Sequence, residues 1–489
     1  MRSALLLLLA SAAAAEEALP EGAVRRLIQD GDVRAVAFSP DGKTIATAGS
    51  RGIIRLWDAT GEPLRTLKAG DGDVDALSFS PSSISLAAAG ADGQIRRWEA
   101  ATGKPRKGGN ARHPVRALAH DPRNDFLVWG GDYGVIQAFS LPGFDLDEWW
   151  NPWPADGFLG RHHIEAIAFS RDGYFLAAAG EHVACAWDIA SSSAVLRIED
   201  AAESFRAVAF SRDRRLFAAA GDGGAIHVME MASGLEAFTL KGKGAVRALA
   251  FSPDGSVLAS GGSDGVLRLW DMESGGEGTP RRGHSKEITA LAFSPDGTLA
   301  TGSADGTALV WEGRVERDPV TPPADGKFPG LWETLADADA ARASRAVLPL
   351  AAAGDRAVAF FAKQFAAEGD PARIAKLIAD LDAEAAEVRD AAQRELVRLG
   401  PRADADIRRA MNASPSPEAA GRLEEVILSW GRPEEAGPAT HRWLRAMAAA
   451  ERIGTPAARK LLGRLRKEAP SELERAAAGR AWRRTRPRK

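Results

Sequence analysis

A mainly β fold built from a radially repeated four-stranded unit, followed by an all-α domain, is predicted by three observations. One phrase recurs seven times in the first two-thirds of the 489 residues, most clearly as VRAVAFSPDGKTIATAGSRGIIRLWD from Val33, VRALAFSPDGSVLASGGSDGVLRLWD from Val246 and ITALAFSPDGTLATGSADGTALVW from Ile288. Two ladders keep one register: Phe38, Phe79, a degenerate His120, Phe169, Phe210, Phe251 and Phe293, then Trp57, Trp98, Phe139, Trp187, Met229, Trp270 and Trp311. The first ladder steps by 41, 41, 49, 41, 41 and 42 residues, and the second follows 18 or 19 residues behind it. After Trp311 the composition turns to Ala, Arg, Leu and Glu at helical spacing. A fixed period of about 40 to 45 residues, at four strands per unit, specifies a seven-bladed β-propeller over residues 22–312.

The elements follow in chain order. Residues 1–15 hold one early Arg, a short apolar run from Ala4 to Ala10 and small residues before Glu16, the pattern of a signal peptide cleaved after Ala15. Its apolar run is far shorter than the roughly 20 residues a spanning helix needs, so an exported protein with no membrane span in the mature chain is expected, periplasmic or extracellular. Ala23 to Ile28 stands before the first unit as Pro63 to Leu67 stands before the second. It is therefore expected to pair with residues 307–312 and close the ring, removing an exposed sheet edge. Within each unit, alternation such as Val33-Arg34-Ala35-Val36-Ala37-Phe38 suits a strand, and Ser-Pro-Asp-Gly closes a hairpin because Pro presets φ and Gly takes the positive-φ position. Small residues then suit a crowded inner strand, and Asp-Gly at 92–93, 264–265 and 305–306 turns the chain into the strand that ends in Trp. Since no blade can cover both its faces, the ring stands on stacking, and Trp57, Trp98, Phe139, Trp187 and Trp270 are the expected blade core. Losing one such indole would cost about 3 to 5 kcal/mol.

Residues 313–327 read as a linker with Pro319, Pro322 and Pro323, 328–484 as a helical domain, and 485–489 as a basic tail. Helices are expected over 337–353, 355–367, 371–382, 384–399, 403–412, 417–430, 438–452, 455–467 and 470–484. Asp370-Pro371 and Thr455-Pro456 serve as starts and Gly400-Pro401 as a stop. Arg480, Arg483, Arg484, Arg486, Arg488 and Lys489 read as a solvated terminus, with contact to an anionic surface as the alternative.

The Trp-Asp endings and their period resemble WD40 repeats, and Ile378 to Gly400 with its Val388-Arg389 resembles a HEAT repeat, Glu451 to Leu462 being a looser second copy. A short α-solenoid or a helical bundle is thus open for the second domain. Together with the leader, GLWETLADADAARA and ERIGTPAARKLL, the chain resembles exported WD40-repeat proteins seen in Planctomycetes. The resemblance implies architecture rather than a reaction. It also implies a buried hydrogen-bond chain in the last blade from His284, Asp305, Thr301 or Ser303, and Trp311.

Candidate chemistry is sparse in the sequence. Gly261-Gly262-Ser263-Asp264-Gly265 matches a nucleophile-elbow pattern but lies where a β-hairpin is expected, and Gly42-Lys43-Thr44 lacks the glycine a phosphate loop needs at Ala37. His113, His162 and His163 precede their units at different offsets and read as loop residues, and the single Cys185 reads as a core thiol. No cofactor, metal or catalytic set is called for, and a net charge of −3 selects no polyanion, so no specific nucleic acid is expected. The expected function is a non-enzymatic scaffold for a protein partner, the alternative being a small-molecule or glycan sensor or enzyme subunit that uses the propeller mouth. One departure from the period, eight extra residues between His120 and Phe169, carries Trp149, Trp150 and Trp153, either packed between blades or exposed as a contact loop.

Overall fold

The alternating run of each repeat becomes a first strand, and seven such strands close a cycle. Val33–Phe38, Val74–Phe79, Val115–His120, Ile164–Phe169, residues 205–210, Val246–Phe251 and Ile288–Phe293 touch in that order, and the last returns to the first. This computed structural model describes residues 18–123, 126–134, 136–140, 145–146, 163–189, 193–213, 215–231, 234–313, 321–337, 340–368, 370–413, 415–429, 438–469 and 472–485. Trp149, Trp150 and Trp153, the leader and residues 486–489 lie outside these.

Among the described residues the strands pair into six sheets, not the seven separate blades the period predicts. Five are four-stranded, and four of these are simple meanders. The sixth takes in the fourth and fifth repeats, because Phe175–Asp188 and Ser193–Phe210 stay extended where other repeats break into separate strands. At the inner turn of the fourth repeat Glu181-His182 replaces Asp-Gly, with His182 at a φ of +64°. Its outer strand then passes directly into the first strand of the fifth repeat.

Ala23–Ile28 pairs antiparallel with Thr307–Glu312, with Ile28 opposite Thr307 and Ala23 opposite Trp311. The last sheet thus takes one strand from each end of the propeller sequence.

Most of the hydrophobic cores lie between sheets, while one, with Phe205 and Phe217, lies between the fourth and fifth repeats of the six-stranded sheet. Trp57 of the first repeat packs with Ala300, Ala308 and Val310 of the seventh. Trp98 meets Ile54 and Leu56, Phe139 meets Ile95, Trp187 meets Val128 and Ile136, and Trp311 meets Leu267 and Leu269, each ladder aromatic lying on the sheet before its own. Cys185 is buried in the same core as Trp187. Gly109 is required by this packing, since a Cβ there would come within 2.2 Å of the Phe139 ring.

The turns at the Ser-Pro-Asp-Gly position, which read Ser-Arg-Asp in the fourth and fifth repeats, are held by side chains. Ser170, Ser211 and Ser252 each donate a hydroxyl to the Asp two residues on at 2.6 to 2.7 Å, and each accepts the N–H that opens the next strand at 2.9 Å. Gly42 in the same turn sits at a φ of +74°, which any Cβ would disfavour. In the third repeat Asp121 takes the serine position and His120 the phenylalanine position. His120 Nδ1 lies 2.9 Å from the Ser78 hydroxyl, while its Nε2 is buried without a partner.

Beyond Glu316 a second compact unit is helical. The starts and stops act as their residue types dictate: Asp370 accepts the N–H of Ala372 at 3.0 Å, Thr455 accepts that of Ala458 at 3.2 Å, and Gly400 ends a helix at a φ of +64°. The helices are Phe328–Thr334, Ala340–Ala352, Asp355–Glu368, Pro371–Asp380, Ala386–Leu399, Asp404–Asn412, Pro417–Ser429, Pro438–Ile453, Pro456–Glu468 and Glu472–Arg484. The first was not expected from the sequence.

Among the described residues two cores divide this unit. Ile374, Leu396, Leu399, Ile407, Leu423 and Val426 form one, whereas Trp332, Phe361, Phe365, Trp443, Met447 and Leu462 form the other. In the second core, residues before 370 meet residues after 438. Arg442 pairs with Glu333 at 3.0 Å and Arg445 donates to the carbonyls of Leu335 and Asp337 at 2.9 and 3.1 Å. A linear solenoid would join only neighbouring repeats, so the chain's return across about 110 positions makes a bundle-like unit instead. Among the described residues no helix is long and apolar enough to cross a membrane.

Candidate interaction rim of the propeller

Each first strand opens with a buried apolar residue and then a residue that the pairing skips. The buried positions are Val33, Val74, Val115, Ile164, Phe205, Val246 and Ile288. In every repeat the register shifts across the next residue, so Arg34, Asp75, Arg116, Glu165, Arg206, Arg247 and Thr289 each occupy a β-bulge. A bulge bends its strand and re-aims one side chain, which here puts a mainly charged residue at the same end of every first strand. The bulge also brings a carbonyl against the partner strand. A Cβ on Gly49 would lie 1.8 Å from the Asp32 oxygen, and Gly90, Gly221 and Gly262 are in the same position.

These side chains link neighbouring repeats. Arg34 meets Asp32 at 2.9 Å, Asp73 at 3.0 Å and Asp75 at 2.9 Å. Glu165 receives Arg116 at 3.3 Å and Arg206 at 2.8 Å from either side, and Asp222 receives Arg206 and Arg247, both at 2.8 Å. Thr289, the uncharged member, donates to the Val33 carbonyl across the closure point. His163 Nδ1 lies 2.8 Å from Asp132, itself 3.1 Å from Arg116.

The charges reinforce one another. Burial opposes ionisation of Arg34, but hydrogen bonds and charge from Asp75 and Asp32 outweigh it and raise its pKa above the ordinary guanidinium value. The hydrogen bond from Arg206 outweighs partial burial at Asp222, and with Arg247 it holds that carboxyl below the usual range. Arg34 and Asp222 are therefore held in their charged forms, and the rim is a charged surface. It can recognise complementary charge, and with each guanidinium and carboxylate already paired, a partner must compete for or extend existing pairs.

The residues singled out in the sequence fall elsewhere. Trp311 donates its indole N–H to the Thr301 hydroxyl at 2.9 Å, Thr301 lies 2.6 Å from His284 Nε2, and His284 Nδ1 lies 3.0 Å from Asp305. With Nδ1 donating to the carboxylate, Nε2 is left to accept the threonine hydroxyl, so every group in the chain is used. Burial opposes the Asp305 charge, yet the bonds from His284 and Thr307 pull its pKa well below the carboxylate range. Ser303 stands beside this chain, donating to the Lys286 carbonyl at 3.3 Å and accepting the Asp305 N–H at 3.1 Å.

A second chain of the same kind was not anticipated. Trp57 donates to Thr47 at 3.0 Å, Thr47 donates to Gln29 at 2.9 Å, and Gln29 donates to the Ile53 carbonyl at 2.9 Å, glutamine standing where the last repeat has histidine. Trp270 donates to Ser260 at 2.8 Å. In each case the hydroxyl lies ten residues before the Trp, a spacing visible in the sequence.

The rim was also missed, although Val-Arg, Val-Asp, Val-Arg, Ile-Glu, Phe-Arg, Val-Arg and Ile-Thr recur at the period. Its signal is a charged residue inside an apolar strand, which alternation alone assigns to a solvent face. Gly261 to Gly265 joins the antiparallel strands Val257–Gly262 and Val266–Asp271, and Lys43 lies in a turn between two strands.

The family model described as WD domain, G-beta repeat matches residues 24–58, 61–99, 234–271 and 278–312. Each match starts in an outer strand and continues through the three strands of the next sheet, so a sequence repeat straddles two sheets, as the closing strand requires. The chain thus carries WD40 repeats in a β-propeller followed by a helical region. No curated protein matches it.

Proposed function

We propose that this protein is an exported, non-enzymatic scaffold that binds a protein partner across the charged rim of its propeller. The observation that carries the reading is the rim itself: seven bulges at one period aim six charged side chains and one threonine to a common end of the ring. WD40 propellers are typically protein-interaction scaffolds, which supports the same reading. Export rests on the leader pattern in residues 1–15.

Two measurements test it. A photo-crosslinking residue placed at Thr289 in the native protein should capture one defined partner. The same residue at Leu64, exposed on an outer strand, should not. Arg206→Glu with Arg247→Glu should abolish the Thr289 adduct while costing little stability, since partly exposed ion pairs contribute about 0 to 1 kcal/mol each. Equal capture from both positions, or an adduct that survives the double reversal, would remove the rim from the partner surface. N-terminal sequencing of the mature protein should start at Glu16, and an intact Met1 would overturn export.

A further inference from the structure

The propeller and its rim do not account for the most uneven feature of the charge distribution. Residues 456–489 contain twelve Lys and Arg against three Glu, a net +9, in a chain whose total is −3. Part of this charge is built on an ordered helix. Pro456–Glu468 starts on the Thr455 cap and buries Ala458, Leu461, Leu462 and Leu465 on one side. Its opposite side exposes Lys460, Arg464 and Lys467, spaced i, i+4 and i+7 and so aligned in one stripe about 10 Å long. Arg464 lies 3.7 Å from Glu468, itself exposed at the helix end. Arg466 lies 4.0 Å over the Trp482 ring of the following helix, and Gly463 lets that ring approach, since a Cβ there would be 3.0 Å from its Nε1. The two helices are thus fastened together beside the stripe, and the helix gives the charges a fixed spacing.

We propose that this stripe is a docking surface for an anionic phospholipid membrane, separate from the rim and independent of its function. Charge complementarity favours phosphate, and the composition favours lipid over nucleic acid. Residues 456–489 contain no Asn, Gln, His, Phe or Tyr, so side chains for reading base edges or stacking on bases are lacking apart from Trp482, whose ring is covered by Arg466. A cluster of Lys and Arg on the polar side of an amphipathic helix suits a surface of phosphate headgroups, where each charge strengthens binding about fivefold.

The experiment uses the full chain and vesicles of phosphatidylcholine alone or with one-third phosphatidylglycerol, followed by flotation. Binding is expected to the anionic vesicles only, and to be lost at high salt. Lys460→Glu, Arg464→Glu and Lys467→Glu together should weaken it on the order of a hundredfold at an unchanged melting temperature. Removal of residues 486–489 should leave most of it in place. Equal binding to neutral vesicles, a triple variant that binds like the parent, or loss of binding on removing 486–489 alone would each overturn the assignment to this helix. Tighter binding to a 20-base-pair DNA duplex than to the anionic vesicles would overturn the choice of lipid.

Discussion

The third and seventh repeats of the propeller each bury a histidine, and the two residues do opposite things. His284 in the seventh is engaged at both ring nitrogens, by Asp305 and Thr301, and its side chain is 1% exposed. His120 in the third stands where six other repeats have phenylalanine; its Nδ1 reaches Ser78 but its Nε2 has no partner. A buried polar group stabilises only when its hydrogen-bonding capacity is filled, so the first histidine fixes its sheet while the second weakens a hydrophobic ladder. The same contrast appears in the turns. Ser294 and Asp296 hold the seventh, whereas Asp121 buries an unpartnered carboxylate oxygen in the third. The family match covers the first two and the last two repeats and passes over the third, fourth and fifth.

The comparison is broken most severely by removing what the seventh repeat borrows. Deletion of Ala23–Ile28 leaves the Thr307–Glu312 edge unpaired and opens the ring. Loss of cooperative unfolding for the whole propeller is expected, measured by circular dichroism during a thermal ramp. Cleavage in the 313–327 linker should leave the propeller transition in place. Equal melting of the two truncations would show that the strand does not hold the ring closed.

A smaller effect is expected at His284. His284→Ala removes both bonds and leaves Asp305 and Thr301 short of partners in a buried site, costing about 3 kcal/mol. Urea unfolding would show this as a shifted midpoint with an unchanged slope. A cost near zero would mean that the chain from Trp311 to Asp305 contributes nothing net.

The mildest and most diagnostic change is His120→Phe. Burial, followed by the charge of Arg97, pushes the His120 imidazole from its ordinary 6.5 down to about 3. Between those values the unfolded chain binds a proton that the folded one does not. Stability from this site is therefore complete above about pH 6.5 and falls by up to about 1.4 kcal/mol per pH unit as the solution is acidified toward pH 3. The phenylalanine variant should gain about 1 kcal/mol at pH 7, by removing a half-satisfied polar group, and lack that acid-dependent component. Parallel stability-against-pH curves for parent and variant would refute the difference drawn between the two histidines.

Much of this was legible in the chain. The period predicted the repeats, alternation predicted the first strands, and the place of Ala23 to Ile28 before the first unit predicted its pairing, because each depends on residues whose preferences are local. The count of separate sheets was not legible: whether Glu181-His182 and residues 200–204 break a strand is decided by pairing across the sheet, not by either segment alone. The ladder aromatics announced a core, yet only the structure shows that Trp57, Trp98, Phe139, Trp187 and Trp311 each pack on the preceding sheet. The rim was hidden for a related reason. An arginine after Val33 reads as an exposed strand position until the bulge re-aims it toward Asp73 and Asp75, more than 38 residues away. In the helical unit, caps and amphipathic spacing fixed nearly all the helices. The return of Pro438–Ile453 onto the first of them depended on long-range burial of Trp332, Phe365 and Trp443, which no local pattern encodes. Sequence alone therefore determined the repeating unit and its chemistry, while tertiary structure decided which charges meet, because ion pairs and cores form between residues that only closure of the chain brings within a few ångströms.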